Sequence, residues 1–131
     1  MTETKTVTPV GEVINGYFAM WNETDAVLRR RIIEQNWTQD ANYIEPLMAA
    51  EGHEGLDEGV AGMQAQFPGH ELHPTGRVDA HHDRVRWTWE LVGPDGGAPL
   101  ATGTNVGMLA PDGRLCQVTG FFDSTPDTAG G

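Results

Sequence analysis

The first half of the chain carries apolar residues at the spacing of amphipathic helices. Thr8-Pro9 is a favourable helix start, with the threonine as N-cap and the proline in the first turn. The apolar face that follows consists of Val10, Val13, Ile14, Tyr17, Phe18 and Trp21. This pattern predicts a first helix that is held in place by burial of that face, because Gly11 and Gly16 weaken its intrinsic helix propensity.

Two further helices are predicted before the pattern changes. Thr24 is the expected N-cap of the second helix, and Asp25 follows it near the positive end of the helix dipole. Its inner stripe consists of Val27, Leu28, Ile32 and Ile33, and the run Arg29-Arg30-Arg31 is expected on its solvated face. The third helix, over residues 55–67, faces inward with Leu56, Val60, Met63 and Phe67.

The second half of the chain alternates apolar and polar residues with a period of two, which indicates strands. Long strands are predicted over residues 71–81, 84–91, 100–109 and 114–123. A short strand over 43–45 lies earlier, between a turn-prone segment at 39–42 and a loop at 47–54. Helices followed by an antiparallel meander predict an α+β fold. We expect three helices to close a curved sheet into an open cone with a pocket at its mouth.

Strand alternation predicts which side chains line that pocket. Gly103 and Gly107 share a face with Asn105, and their lack of side chains leaves space for a ligand. On the last strand, Cys116 shares a face with Val118, Gly120 and Phe122. The predicted substrate-binding wall consists of Trp21, Phe67, Trp87, Trp89, Gly103, Val118, Gly120 and Phe122. For the strand tryptophans, Trp87 and Trp89, core packing is the alternative to lining the pocket.

Length and charge narrow the classes of partner. With 131 residues, the chain is predicted to form one domain with a core over residues 8–123 and flexible tails at 1–7 and 124–131. The formal net charge of −11 argues against nucleic acid and anionic membrane surfaces as partners. The polar N-terminus and the lack of a long apolar run predict a cytoplasmic protein without a membrane span. A small apolar organic molecule is the expected ligand.

Glu45 is the main candidate for chemistry, because it ends the short strand directly before Pro46. A carboxylate enclosed by aromatic walls has a raised pKa and can act as a general base. Tyr17 and Asn105 could then donate hydrogen bonds to the oxygen on which charge develops. The alternatives are structural: Glu45 could bind a helix or an arginine, Tyr17 could be core, and Asn105 could satisfy backbone groups.

Three motifs, together with the order of elements, resemble the nuclear transport factor 2-like superfamily. They are Tyr17…Trp21-Asn22…Asp25, Asp40-Ala41-Asn42-Tyr43-Ile44-Glu45-Pro46 and Val118-Thr119-Gly120-Phe121-Phe122-Asp123. Over residues 8–123 the chain is most similar to the branch of SnoaL-like polyketide cyclases and ketosteroid isomerases. The resemblance implies a cone-shaped α+β fold, acid–base chemistry without metal or cofactor, and a homodimer formed through the outer sheet face. It also implies that the face of the last strand shared by Cys116, Val118, Gly120 and Phe122 is the inner one.

The resemblance to ketosteroid isomerases also implies roles for particular residues. Their oxyanion tyrosine lies on the first helix, as Tyr17 does here, and their general base precedes a proline, as Glu45 does. Their second oxyanion acid lies in the penultimate strand, where this chain has Asn105. The amide at 105 and the glutamate at 45 depart from that pattern and argue against a steroid substrate. SnoaL-like cyclases use an aspartate deeper in the cone, for which Asp123 is the nearest candidate.

Three functions follow as hypotheses. The first is a cofactor-independent isomerase or polyketide cyclase-like enzyme acting on a small or medium apolar carbonyl compound. The second is a non-catalytic ligand-binding or dimerisation module of the same fold. The third is an epoxide hydrolase-like enzyme, suggested by Arg77-Val78-Asp79 together with Asp123; it requires an arginine in the pocket.

The histidines do not show the spacing of a metal site, so no metal is expected. A single histidine acting as acid or base is the open alternative. His53, His73 or His81 could reach the mouth of the cone.

Overall fold

The computed structural model describes residues 9–125, which form three helices and one six-stranded sheet. The helices are α1 Val10–Asn22, α2 Ala26–Asn36 and α3 Gly52–Gln66. The strands are β1 Trp37–Glu45, β2 Met48–Glu51, β3 Glu71–His81, β4 Arg84–Val92, β5 Ala101–Leu109 and β6 Leu115–Ser124. The predicted α+β fold with three helices and a curved, open sheet is confirmed. The single-domain organisation stays a prediction. Helix α1 begins one residue later than predicted, since Pro9 itself is the N-cap and makes no side-chain cap hydrogen bond; Thr8, the predicted cap, lies outside the described residues.

The strands are arranged in the order β2-β1-β6-β5-β4-β3. All neighbours are antiparallel except β1 and β6, which run parallel and pair Tyr43 with Val118. The sequence predicted too little strand in two places. The segment predicted as a turn belongs to β1, which begins at Trp37, and the predicted loop contains β2. At the other end, Ser124 belongs to β6 and not to a tail.

Helix α2 differs from its prediction in both its cap and its inner face. Asp25, not Thr24, is the N-cap, and its carboxylate accepts hydrogen bonds from the backbone amides of the first turn. Val27 and Leu28 are exposed, whereas Arg29 is buried. The Arg29 guanidinium donates to Asp57 of α3 at 2.6 Å, so a residue predicted on the solvated face forms an ion pair between the two helices.

The core lies between the helices and the concave face of the sheet. The apolar stripe of α1 packs there, as its spacing predicted, and Tyr17 makes edge contacts with the ring of Trp87. Trp37 is fully buried against the same tyrosine. One inward position was assigned wrongly. A register shift between β5 and β6 turns Leu115 into the core and leaves Cys116 only partly buried.

The convex face of the sheet is open in the single chain. Ile44, Val106 and Phe121 are exposed there, and Thr119 pairs with both Ile44 and Val106 across three adjacent strands. This is the face on which the homodimer contact is expected, and the dimer remains a prediction. Among the helices of residues 9–125, none combines the length and apolar character needed to cross a membrane.

Candidate active site

The open end of the cone contains a cavity of about 350 Å³. Helices α1 and α3, the β1–β2 hairpin and strands β4 to β6 all contribute to its wall, which is mostly apolar. Twelve catalytic or substrate-binding candidates were predicted from the sequence. Six of them line the cavity: Tyr17, Trp21, Glu45, Phe67, Trp89 and Phe122. The other six, Asn105, Asp123, Trp87, Gly103, Val118 and Gly120, do not. Helix α3 contributes the largest share of the wall, and α1 and the ends of the strands complete it.

Glu45 lies half-buried at the end of β1, where Pro46 and Leu47 turn the chain into β2. Its Oε1 accepts a hydrogen bond from the Leu47 backbone amide at 3.0 Å, which fixes the carboxylate beside the cavity. Within residues 9–125 it forms no ion pair, so the alternative of an arginine partner is not met. Burial raises the pKa of the Glu45 carboxyl above its ordinary value of 4.5, and backbone amides oppose part of that rise.

Asn105 connects the wall of the cavity to the strand tryptophan. Its Nδ2 donates to Tyr17 Oη at 2.7 Å, and its Oδ1 accepts from Trp89 Nε1 at 3.0 Å. An indole nitrogen can only donate, so the amide oxygen must face Trp89 and the amide nitrogen must face Tyr17. Asn105 is 1% exposed, and its two hydrogen bonds hold the side chain behind the cavity wall, of which it is not a part.

The amide determines where the Tyr17 proton can go. Because Tyr17 Oη accepts from Asn105, its own O–H must point away from the amide. Trp21 and Tyr43 also approach the hydroxyl, and of these two only the Tyr43 oxygen can accept its proton, because an indole N–H only donates. Burial raises the pKa of Tyr17 well above its ordinary value of 10.0. The phenol therefore keeps its proton at neutral pH and can donate it to an oxygen atom in the cavity.

The lack of a side chain at Gly120 leaves room for both Glu45 and Asn105 beside it. A Cβ at this position would lie 2.8 Å from Asn105 Oδ1 and 3.1 Å from Glu45 Cβ. Gly103 serves a similar purpose, since a Cβ there would overlap the Trp89 ring. These two glycines were predicted as pocket wall, whereas in the structure they provide room for the side chains that form the wall.

Other sequence candidates lie outside the cavity. Asp123 is exposed on the outer face, where it accepts a hydrogen bond from Thr104 at 2.9 Å. Trp87 is core, 2% exposed, which corresponds to the alternative kept open for it. Asp79 pairs with Arg86 on the surface, and the described lining of the cavity contains no arginine. The epoxide hydrolase hypothesis therefore lacks the residue that it requires.

The three candidate histidines are also absent from the described lining. His53 is in hydrogen-bond contact with the Trp37 carbonyl at 2.9 Å, while His73 pairs with Glu71 and His81 contacts its neighbour His82. Over residues 9–125, no cluster of three or more metal-ligating side chains is present.

Sequence reasoning missed Tyr43 as a member of the site. Its side chain lines the cavity, and burial raises the pKa of its phenol well above the ordinary value. Strand alternation contained the signal, because Tyr43 and Glu45 are two residues apart and share a face of β1. Leu47 and Met48 were missed because the hairpin was predicted as a loop, and Glu58 and Gln66 on α3 carried no motif.

The cone-shaped fold of this chain is shared with solved structures, one of which is similar enough to assign its family. A proposed isomerase of the SnoaL-like family from Agrobacterium tumefaciens is 35% identical to it. That match covers 86% of this chain and 96% of the other, with a TM-score of 0.82. The chain therefore belongs to the SnoaL-like family, as its motifs predicted.

More distant structures share the fold. TerC, co-crystallised with polyporic acid, is 21% identical over 88% of this chain and 92% of its own, with a TM-score of 0.68. A proposed SnoaL-like polyketide cyclase from Jannaschia sp. CCS1 is 19% identical over 92% of each chain, with a TM-score of 0.66. At these identities the likeness shows the fold alone. No family model and no curated protein matches the sequence.

Proposed function

We propose that this chain is a cofactor-independent acid–base enzyme, of isomerase or cyclase type, for a small or medium apolar carbonyl compound. The observation that carries the proposal is the placement of Glu45. Its carboxylate borders an apolar cavity, has no cationic partner in the described chain, and shares that cavity with a buried phenol that must direct its proton away from Asn105. The family membership supports this general class of activity.

The proposed step is removal of a proton from the carbon next to the carbonyl. The Glu45 carboxylate takes that proton, the C–H electron pair forms the new C=C bond, and the carbonyl oxygen becomes the enolate oxygen. Tyr17 donates its O–H to this oxygen as the negative charge develops. Return of the proton from Glu45 to another carbon of the conjugated enolate completes an isomerisation. In a cyclisation, the enolate carbon attacks a second carbonyl of the substrate, and the proton on Glu45 is returned to the alkoxide oxygen that forms there.

The wall of the cavity favours a neutral substrate. Its charged members are Glu45 and Glu58, and no basic side chain is part of the described lining. A carboxylate or phosphate in the substrate would meet like charge without a compensating cation. Trp21, Trp89 and Phe122 supply flat apolar surface instead. We therefore propose ketones, aldehydes and lactones with hydrocarbon or aromatic bodies as the substrate class.

The second candidate function is a non-catalytic binding module of the same fold. One observation favours it: the Leu47 amide gives Glu45 a structural role in the β1–β2 turn that requires no chemistry. A module of this kind predicts ligand-induced thermal stabilisation without any reaction.

Deuterium exchange separates the two candidates even when the product is not identified. Each member of a panel of neutral ketones and lactones is incubated with the protein in D₂O, and loss of the α-proton signal is followed by NMR. We expect catalysed exchange for a subset of the panel. We expect Glu45→Gln to abolish it without lowering the melting temperature, because the side-chain carbonyl of glutamine can still accept from the Leu47 amide.

Glu58→Gln is the matched control, since Glu58 is an exposed carboxylate that lines the same cavity from α3. It should leave exchange within about twofold of the unmodified protein, because surface substitutions of this kind have small effects. Exchange that survives in Glu45→Gln would refute the role of Glu45 as the base. Thermal stabilisation by panel members without exchange would support the binding module instead.

A further inference from the structure

One side chain of the cavity wall connects the β1–β2 hairpin to α3. Met48 is directly opposite Glu45 in the hairpin, so the two side chains share a face and lie next to each other. From there the Met48 side chain extends to Gly59 of α3, and both residues line the cavity. Met48 therefore spans the distance from the proposed base to the helical part of the wall.

The contact depends on the lack of a side chain at Gly59. A Cβ atom at this position would overlap the terminal methyl group of Met48 and lie 3.1 Å from its Sδ. Gly62, three residues later on the same helix, also lines the cavity, but a Cβ there would meet no atom within 4 Å. Of these two glycines, Gly59 is the one whose missing side chain allows Met48 to reach the helix.

The position of Met48 gives it influence over what reaches Glu45. Its side chain is partly buried and packs against the hydrophobic core, so it is part of the wall and not a free surface group. Methionine is unbranched and flexible, and it fills irregular apolar gaps. A substrate carbon that approaches the Glu45 carboxylate must therefore pass beside the Met48 thioether.

We propose that Met48, held against Gly59, is a specificity-determining residue that limits the width of the substrate beside the carbon that Glu45 deprotonates. The inference rests on the proposed function, and it adds a limit on the shape of the substrate. A ketone with a single ring binds with Met48 in place. A ketone with two fused rings has to displace the Met48 methyl group from Gly59.

The test compares two neutral aryl methyl ketones, acetophenone and 2-acetonaphthone, which differ by one fused ring. Their dissociation constants are measured by equilibrium dialysis for the unmodified protein, Met48→Ala, Gly59→Ala and Gly62→Ala. Gly62→Ala is the matched control for Gly59→Ala. Each adds one methyl group to the same helix and the same cavity, and each replaces glycine by a better helix former, but only Gly59→Ala displaces Met48.

The quantity that decides is the dissociation constant of 2-acetonaphthone divided by that of acetophenone. Met48→Ala should lower this ratio by about tenfold, in line with the discrimination that apolar groups provide in a hydrophobic pocket. Gly59→Ala should raise it, because the displaced methyl group of Met48 moves into the apolar cavity in preference to water. Gly62→Ala should leave it within about twofold of the unmodified protein.

Three results would overturn the proposal. The first is a ratio that Met48→Ala leaves unchanged, since the side chain would then not limit the width of the ligand. The second is an equal response to Gly59→Ala and Gly62→Ala, since the contact between Met48 and Gly59 would then have no effect on binding. The third is a failure of both ketones to bind the unmodified protein.

A second measurement follows the unmodified protein and does not depend on the stability of Met48→Ala. With ¹³C at the methionine methyl groups, the Met48 and Met108 resonances are assigned as those lost in Met48→Leu and Met108→Leu. Bound acetophenone should shift the Met48 resonance through its ring current, and Met108, which is not part of the described lining, should not respond. Equal responses would overturn the proposal. Both measurements follow binding and not turnover, so failure here is distinct from failure of the Glu45 exchange experiment.

Discussion

Replacing Asn105 with leucine tests the connection between the strand amide and Tyr17. Leucine has a similar size but no polar atoms, so both hydrogen bonds, at 2.7 and 3.0 Å, are lost together. Trp89 Nε1 then becomes a buried donor without a partner, and Tyr17 Oη loses the contact that directs its proton. The variant should therefore affect stability and the proposed chemistry at once.

The magnitude follows from the two bonds and the new side chain. An unsatisfied buried indole N–H costs about 1–3 kcal/mol, and the lost bond to Tyr17 adds about 1 kcal/mol. Burial of the extra apolar surface of leucine offsets roughly 1 kcal/mol of this. We expect the free energy of unfolding to fall by about 2 kcal/mol.

Urea unfolding followed by tryptophan fluorescence measures this change. The matched control is Thr104→Val on the adjacent residue of β5, which removes one side-chain hydrogen bond of 2.9 Å on the exposed face of the sheet. It should lower the free energy of unfolding by less than about 0.5 kcal/mol. If Asn105→Leu is as stable as Thr104→Val, the amide does not hold the two aromatic side chains as described.

Asn105→Asp extends the same test. A protonated aspartic acid can donate to Tyr17 and accept from Trp89, so the variant should be nearly as stable as the unmodified protein at low pH. Burial raises the pKa of this carboxyl in the folded state above its unfolded value. Its contribution is therefore complete below the unfolded pKa and lost as the pH rises through the folded pKa. A stability independent of pH would contradict this reasoning.

Two further predictions concern ionisable groups. The exchange rate, measured by NMR as a function of pH, should rise to a plateau with a midpoint above pH 4.5. The reason is that Glu45 must be ionised to act as a base and burial raises its pKa. A midpoint at or below pH 4.5 would contradict the partly buried position of this carboxylate. Arg29→Met should lower the free energy of unfolding by about 3 kcal/mol in urea titrations, because it leaves the Asp57 carboxylate without its buried partner. Arg30→Met is the control, since Arg30 is 40% exposed and should contribute less than about 1 kcal/mol to the same carboxylate; equal losses for the two variants would contradict the buried pair.

The fold was predictable because its elements have strong periodic signals. The α1 stripe and the alternation around Trp87 and Trp89 each identify one buried face, and the structure buries both. The predictions that failed involve local competition between residues. Thr24 and Asp25 are both good N-caps. Arg29 can be buried because Asp57, 28 positions later, pairs with its guanidinium, which also donates to the Glu23 carbonyl and to Gln64. A pairing of that kind leaves no trace in hydrophobic periodicity.

The candidate site was partly predictable for the same reason. Alternation placed Glu45 and Asn105 on inward faces, and helical spacing placed Tyr17 with Trp21. Alternation gives the face of a strand, but it does not give depth along the cone. That is why Asn105 lies behind the wall. Asp123, a candidate taken from the resemblance, lies on the outside because it alternates with Phe122, which faces inward.

The parallel pairing of β1 with β6 has a consequence for how the protein is made. Residues near position 43 have their strand partners near position 118, so almost the whole chain must be synthesised before this pair can form. Closing a loop of that length delays the contact relative to the local helices and hairpins. Glu45 lies beside Gly120 once this pair has formed. We therefore expect the cavity to be completed late in folding, and a nascent chain that stops before β6 to have helices and hairpins but no cavity.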